Sequence, residues 1–501
     1  MNFDIFDSKI MTSILEVLKY NPNEPMLFST GLFLFLFLGF TFVYALLKRQ
    51  QTLRLLFVTA FSYYFYYKSS GFYFALLAVV TISDFIIARS IHSLREQSKA
   101  KAKALLTLSL LIDLGLLAYF KYTNFFAGMI SQMIGNNFQP WDIFLPVGIS
   151  FFTFQSLSYT IDVYRGNLRP LPSILDYAFY VSFFPQLVAG PIVRACDFAP
   201  QIRKKPIVTQ KMMAEATWLI TIGVFKKCVI SDYISMNFVD RVFDNPQLYS
   251  GLENLLGIYG YAMQIYCDFS GYSDMAIGIA LLLGFTFPKN FDAPYNSRNI
   301  TDFWRRWHIS LSSWIRDYIY ISLGGNRKGK VRQYVNLIIT MLLGGLWHGA
   351  SLNFVAWGGM HGIALAFHKF FSQSILHRPK GWKSHGMHRI IGTFLTFNFV
   401  CLTWIFFRNN TFEGSWMMIN QVITQFHPEL YMDIIMGYYL PLLVILWGYL
   451  SHFTPSMLTN ICLATLRKGG IILQALVLVA VIYIVIQVKS SEIQPFIYFQ
   501  F

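Results

Sequence analysis

The chain has 501 residues, 55% of them hydrophobic, 18% aromatic and only 13% charged. A soluble domain carries about a quarter of its residues charged, so this composition excludes an ordinary soluble globule. The 40 Lys and Arg against 25 Asp and Glu leave a net charge of +15, but the basic residues lie mostly between apolar runs, where they orient a membrane protein and meet anionic headgroups; no base-edge or phosphate-binding motif points to nucleic acid.

In chain order, the first 26 residues carry Asp4, Asp7, Glu16 and Glu24, and the apolar run Leu27 to Leu47 is followed by the basic Lys48 and Arg49. A cleavable signal has the opposite polarity and a shorter core, so this run is expected to stay as a span, with residues 1–26 as an extracytoplasmic or interfacial segment. A helix crosses a bilayer with about 20 apolar residues. Further candidate spans fall near 53–67, 71–88, 104–120, 142–160, 173–191, 215–237, 253–284, 333–347, 352–370, 389–407, 434–451 and 471–488. No linker composition separates them, so the expected fold is all-α: one polytopic integral membrane domain over residues 27–501. Several runs are short, polar or broken by Pro and Gly, and are expected to include tilted or re-entrant segments. Lys48, Arg49 and Arg54 after the first span, and Arg89 to Lys103 after the third, place those loops in the cytoplasm and the N-terminus outside. The cysteines Cys196, Cys228, Cys267, Cys401 and Cys462 form no CxxC pair and read as small packing residues.

Tyr266 to Asp274 sets Asp268 and Asp274 six residues apart inside an apolar segment. Such carboxylates line a polar cavity, bind arginines or break a helix. From Thr301 to Ser322, Trp304, Trp307, His308, Leu311, Ile315 and Tyr318 share one helical face, while Arg305, Ser312 and Arg316 share another. The pattern predicts an amphipathic helix at the cytoplasmic boundary, capped by Thr301 or Asp302, with His308 pointing inward. Gly324-x4-Gly329-Lys330 has Walker spacing, but Val331 stands where magnesium binding needs Ser or Thr, so it reads as a solvated basic loop. Gly344 to Ala350 places His348 between glycines and beside Trp347 at the end of an apolar run. A histidine at membrane depth is either functional or bonded to a neighbouring helix, and the glycines favour function because they let a substrate approach the backbone. Neutral imidazole suits acyl transfer, taking a proton from a hydroxyl or thiol and returning it. His308 is the natural second group, or else an interfacial histidine beside Arg305 and Arg306; His361, with no acid or base partner adjacent, reads as packing. His368, His377, His385 and His388 have no Cys or carboxylate at ligand spacing, so no metal is expected. No G-x-S-x-G elbow appears either.

Taken together, Pro146 to Gln155, Asp162 to Arg165, Phe184 to Pro191, Tyr266 to Asp274, Asn290 to Tyr295, Asp302 to His308, Leu323 to Arg327, Gly345 to Gly349 and Pro495 to Phe501 resemble the membrane-bound O-acyltransferase family, in its bacterial branch for alginate and other polysaccharide O-acetylation. The resemblance implies a ring of tilted helices around a central tunnel, an acyl donor entering from the cytoplasm and an acceptor from the outer face. It matches His348 to the principal active-site histidine and His308 to the second active-site position.

The expectation that follows is an acetyltransferase of the bacterial inner membrane, taking acetyl from a cytoplasmic thioester, acetyl-CoA, for O-acetylation of an exported polysaccharide. His348 would act as general base on the acceptor hydroxyl and His308 would position or polarise the thioester. Arg305, Arg306, Arg316 and Arg327 would attract the anionic donor, with Trp347, Asp268 and Asp274 as further substrate-binding candidates. No bound cofactor is expected. The implied partners are membrane lipid, the polysaccharide and an extracytoplasmic acetyltransferase protein. Three other readings are D-alanyl transfer to teichoic acid from a carrier protein, lipid acylation, and a transporter or scaffold without catalysis.

Overall fold

The computed structural model describes residues 15–22, 24–188, 190–379, 382, 384–454, 456–488 and 496–497. Among them every regular element is helical. Residues 1–14 of the expected N-terminal segment, and all of the C-terminal motif but Phe496 and Ile497, lie outside the described residues. Contacts divide the chain into two units, Met1–Val208 with Ala280–Phe287, and Thr209–Ile279 with Pro288–Phe501.

In the first unit, Thr30 caps α1 (Gly31–Leu46) by accepting from the Phe33 amide. Phe33, Phe37, Phe40 and Tyr44 recur every three or four residues and are buried, while Phe35, Leu38 and Phe42 are 76%, 70% and 68% exposed. An outward apolar stripe on a helix this hydrophobic faces lipid. The next helices are α2 (Gln51–Ser70), α3 (Phe74–Leu94), α4 (Lys99–Leu117, prolonged through a π turn to Met133) and α5 (Ile149–Arg165). Asp84 of α3 accepts from Ser109 of α4 at 2.7 Å and from Ser156 of α5. These bonds tie three apolar helices through one buried polar knot. The expected span 173–191 is not one helix. α6 (Ile174–Ser182) stops at Phe183, which turns out of helical conformation, and a separate turn, Phe184–Leu187, carries Pro185 in its first positions, where a missing N–H costs nothing.

The second unit contains α7 (Gln210–Val224), α8 (Gly251–Leu282) as far as Ile279, α9 (Ile300–Phe303), α10 (Ile309–Ile315), α11 (Lys330–His348), α12 (Leu352–Phe370), α13 (Gly386–Arg408) and α14 (Phe412–Thr424). It closes with α15 (Tyr431–Gly437), α16 (Tyr439–Ser451) and α17 (Ser456–Val488), which kinks at Gly470, where φ is 61°. Among the described residues, five helical segments are long and apolar enough to cross a membrane, Gly31–Arg49, Gln51–Leu94, Lys99–Met133, Gly386–Arg408 and Ser456–Gln487. A sixth forms if the pair bent by 95° before Tyr439 counts as one crossing. The chain is thus a multi-pass membrane protein. The expected span 142–160 is helical only from Ile149, and α5 is an interior helix: it buries Ile149 to Thr160 without a break, including the polar Ser150, Thr153, Gln155, Ser156, Ser158 and Thr160.

Candidate active site

The stretch expected as one amphipathic helix is broken at its centre. α9 is capped by Asn299, whose side chain accepts from the Asp302 amide at 2.9 Å, so the cap is neither Thr301 nor Asp302. Helix resumes only after His308, which has φ 42° and ψ 56°, a left-handed conformation that costs a non-glycine residue about 1–3 kcal/mol. Two backbone bonds from the turn 290–292 account for the break: the Asp292 amide donates to the Arg306 carbonyl and the Ile309 amide to the Asn290 carbonyl, each at 2.9 Å. Bonds that a continuous helix would make internally are made across to this turn instead. The expected inward face is nevertheless in place, since Trp304, Trp307, His308, Leu311, Ile315 and Tyr318 are all buried. Arg306 braces the turn through Asp292 and Asp302, and the Lys289 ammonium holds the Asp292 carboxyl below its ordinary value.

His308 is fully buried. Its Nδ1 lies 3.2 Å from Asn290 Oδ1, and the edge-on ring of Phe269 packs 4.6 Å from its centroid. Trp347 makes ring contacts with both histidines, 6.2 Å to His308 and 5.0 Å to His348. His348 ends α11 and also packs on Trp357 at 5.1 Å and Phe407 at 5.2 Å. Trp357 in turn stands 4.8 Å from His361, whose Nδ1 accepts from Trp304 Nε1 at 3.3 Å and whose Nε2 meets Thr403 Oγ1 at 3.0 Å. Thr403 gives its own proton to the Val400 carbonyl, so His361 is a donor and an acceptor within the protein, with both nitrogens engaged.

The glycines around His348 correct the reason given for them. A Cβ at Gly345 would overlap the Phe354 carbonyl oxygen and lie 3.1 Å from Gly358 Cα; one at Gly349 would overlap the Phe354 ring. Both glycines exist for close packing against α12. Gly344, whose Cβ would meet only Ile315 Cδ1 at 3.7 Å, has ordinary space.

Asp268 and Asp274 neither break α8 nor meet arginines. Lys227 Nζ pairs with Asp268 at 2.5 Å and Lys226 Nζ with Asp274 at 2.7 Å. The second oxygen of Asp268 accepts from the Ile497 amide at 2.9 Å, which brings the C-terminal segment to Phe269 and Tyr272, where Phe496 is buried. Consecutive lysines opposite carboxylates six residues apart were the readable sign of these pairs.

A cavity of about 1110 Å³ opens in the same unit, walled by Arg298, Arg305, Arg306, Lys330, Lys369 and Arg378 against, among the described residues, the single acid Asp302. Arg378 lies 3.6 Å over the ring of Trp382, and His368 Nδ1 meets Thr301 Oγ1 at 2.9 Å on the same wall. Phe399, also on this wall, packs 5.5 Å from His361. Of the four arginines expected to attract the donor, Arg305 and Arg306 line the cavity. Arg316, 62% exposed and paired with the adjacent Asp317, and Arg327 do not. Of the cations that sequence reasoning missed, Arg298 precedes Arg305 in the same segment, whereas Lys330, Lys369 and Arg378 come from segments further along the chain. Such a wall is suited to an anionic ligand with several phosphates.

The model of the membrane-bound O-acyltransferase family matches residues 163–412, which include both histidines. The "Probable alginate O-acetylase AlgI" of Pseudomonas syringae pv. tomato is 41% identical over 397 residues, 78% of this chain and 74% of that protein. The "Peptidoglycan O-acetyltransferase" of Helicobacter pylori is 37% identical over 446 residues, 83% and 82% of the two chains. The "Teichoic acid D-alanyltransferase" of Bacillus subtilis is 30% identical over 288 residues, 55% of this chain and 71% of that protein. On these matches the chain belongs to the membrane-bound O-acyltransferase family and is an O-acyltransferase.

Proposed function

We propose that this O-acyltransferase moves acetyl from a cytoplasmic thioester, acetyl-CoA, across the bacterial inner membrane for O-acetylation of an exported polysaccharide. The observation that carries the reading is the pairing of two buried histidines around Trp347 with a cavity of six cations on the same unit. His348 serves as general base. It takes the proton of the acceptor hydroxyl as that oxygen attacks the thioester carbonyl, and returns it to the departing thiolate. His308 is the second group at the reacting centre. Arg298, Arg305 and Arg378 hold the donor's phosphates, and a basic wall of this kind raises donor affinity more than turnover. Asp268 and Asp274 hold the surrounding framework through Lys227 and Lys226. The acceptor hydroxyl belongs to the sugar or to an extracytoplasmic partner protein that passes the acetyl on.

Acetyl is favoured over D-alanyl because the acetylating relatives align with far more of the chain, 78% at 41% identity against 55% at 30%. The test is the base-labile ester on cell-envelope polymer from cells carrying wild type, His348→Ala or His308→Ala, with membrane levels matched. Acetyl ester present in wild type and lost in both variants is the expected result. Alanyl ester in its place moves the assignment to D-alanyl transfer, and acetyl ester unchanged by His348→Ala removes its catalytic role.

A further inference from the structure

His308 could serve a reaction either by donating a hydrogen bond or by accepting one, and its neighbours decide between the two. Asn290 Oδ1 stands 3.3 Å from the Ser310 amide, 2.9 Å from Ser310 Oγ and 3.2 Å from His308 Nδ1, while Asn290 Nδ2 donates to Ser273 Oγ at 3.0 Å. Ser310 Oγ also lies 3.4 Å from His308 Nδ1, but it gives its proton to the nearer Asn290 oxygen and faces the imidazole as an acceptor. A backbone N–H only donates, so the Asn290 atom facing Ser310 is the oxygen; the flipped amide would set donor against donor. The nitrogen of His308 that faces that oxygen therefore carries the proton. A neutral imidazole has a single N–H, which leaves Nε2 as a bare acceptor. Nε2 is buried and meets no hydrogen-bond partner among the described residues. An unsatisfied buried acceptor destabilises the protein, a cost that a bound N–H or O–H would remove.

We infer that Asn290 is a positioning residue, holding His308 with its proton on Nδ1 so that Nε2 receives a hydrogen bond from an N–H or O–H of the bound substrates. The inference rests on the placement of His308 in the active site. It also separates the two roles expected for His308: the neutral ring orients a substrate by accepting from it, and has no Nε2 proton with which to polarise the thioester carbonyl. The backbone bond from the Ile309 amide to the Asn290 carbonyl, together with the left-handed φ of His308, fixes the ring and its partner in one frame.

Nitrogen-15 spectra of the full-length protein in lipid, labelled at histidine, read the tautomer independently of activity; His308→Gln identifies the His308 signals by their loss. The expected wild-type state is Nδ1 protonated and Nε2 bare. Asn290→Leu, close in size but without an acceptor, is expected to lose that single state and to lower turnover about tenfold or more, with the donor KM within about threefold. Asn290→Asp, which keeps the acceptor, is expected to keep the tautomer and restore part of the turnover. Wild-type His308 protonated on Nε2 overturns the inference, as does wild-type turnover in Asn290→Leu. Should that variant not accumulate, the wild-type spectrum and Asn290→Asp decide the matter. Full transfer by His308→Gln would instead defeat the catalytic reading of His308, and the spectrum would still report on Asn290.

Discussion

A buried ion pair and a tryptophan show how much of this molecule turns on single residues. Asp268 and Lys227 are both about 3% exposed and pair at 2.5 Å, with Asp232 as the lysine's second partner. Breaking a buried pair from one side leaves a charge poorly compensated, so Asp268→Asn is expected to cost on the order of 3 kcal/mol, and the apolar double variant Lys227→Met with Asp268→Leu is expected to stay below wild type, because Asp232 loses its ion pair with Lys227 and the Ile497 amide loses its acceptor. Thermal unfolding of the detergent-purified proteins checks both. Trp347 has a different part. As the ring in contact with both His308 and His348, its replacement by Leu is expected to reduce acyl transfer about tenfold or more while the protein still accumulates in membranes. Both histidines stand out in the sequence because an ionisable ring in an apolar context is costly. Asn290 was visible as part of a motif, but its role was not, because its partners His308 and Ser310 arrive from 18 and 20 residues away through a turn.

At the scale of elements, the seam between α11 and α12 positions His348. A Cβ at Gly358 would overlap the Met341 carbonyl oxygen, and one at Gly362 would come within 2.8 Å of Ile338 Cα. Backbone against backbone has no rotamer with which to yield, so Gly345→Ala and Gly358→Ala are each expected to destabilise by about 1–3 kcal/mol and to lower transfer by moving the end of α11. Gly344→Ala, whose Cβ would make only an ordinary contact with Ile315 Cδ1, is expected to leave unfolding temperature and transfer close to wild type. Unfolding midpoints of the three variants, compared with transfer rates, test this order. Periodicity revealed the inward face of residues 304–318 but not the break at His308. A helical pattern cannot register hydrogen bonds made to another segment, here the bonds from Asp292 and Ile309.

For the whole molecule, the composition disclosed the membrane and the motifs disclosed the family, whereas the basic cavity was only half legible. Arg305 and Arg306 announced it, with Arg298 a few residues before them; Lys330, Lys369 and Arg378 join them only through the fold. The difference yields a matched test of the proposed donor site. Arg305→Gln and Arg378→Gln are expected to raise the KM for acetyl-CoA several-fold with little change in kcat, and added salt to weaken donor binding in wild type more than in these variants. Arg327→Gln, outside the cavity, is expected to leave both constants unaltered. Initial rates of donor thiol release at low and high salt measure these effects. The most direct test of the proposed chemistry uses inside-out membrane vesicles given labelled acetyl-CoA, followed by recovery of base-labile label from polymer or protein on the lumenal side. Label that appears with wild type and is lost with an equal amount of His348→Ala protein is the expected result, and equal labelling by the two would contradict acyl transfer through His348.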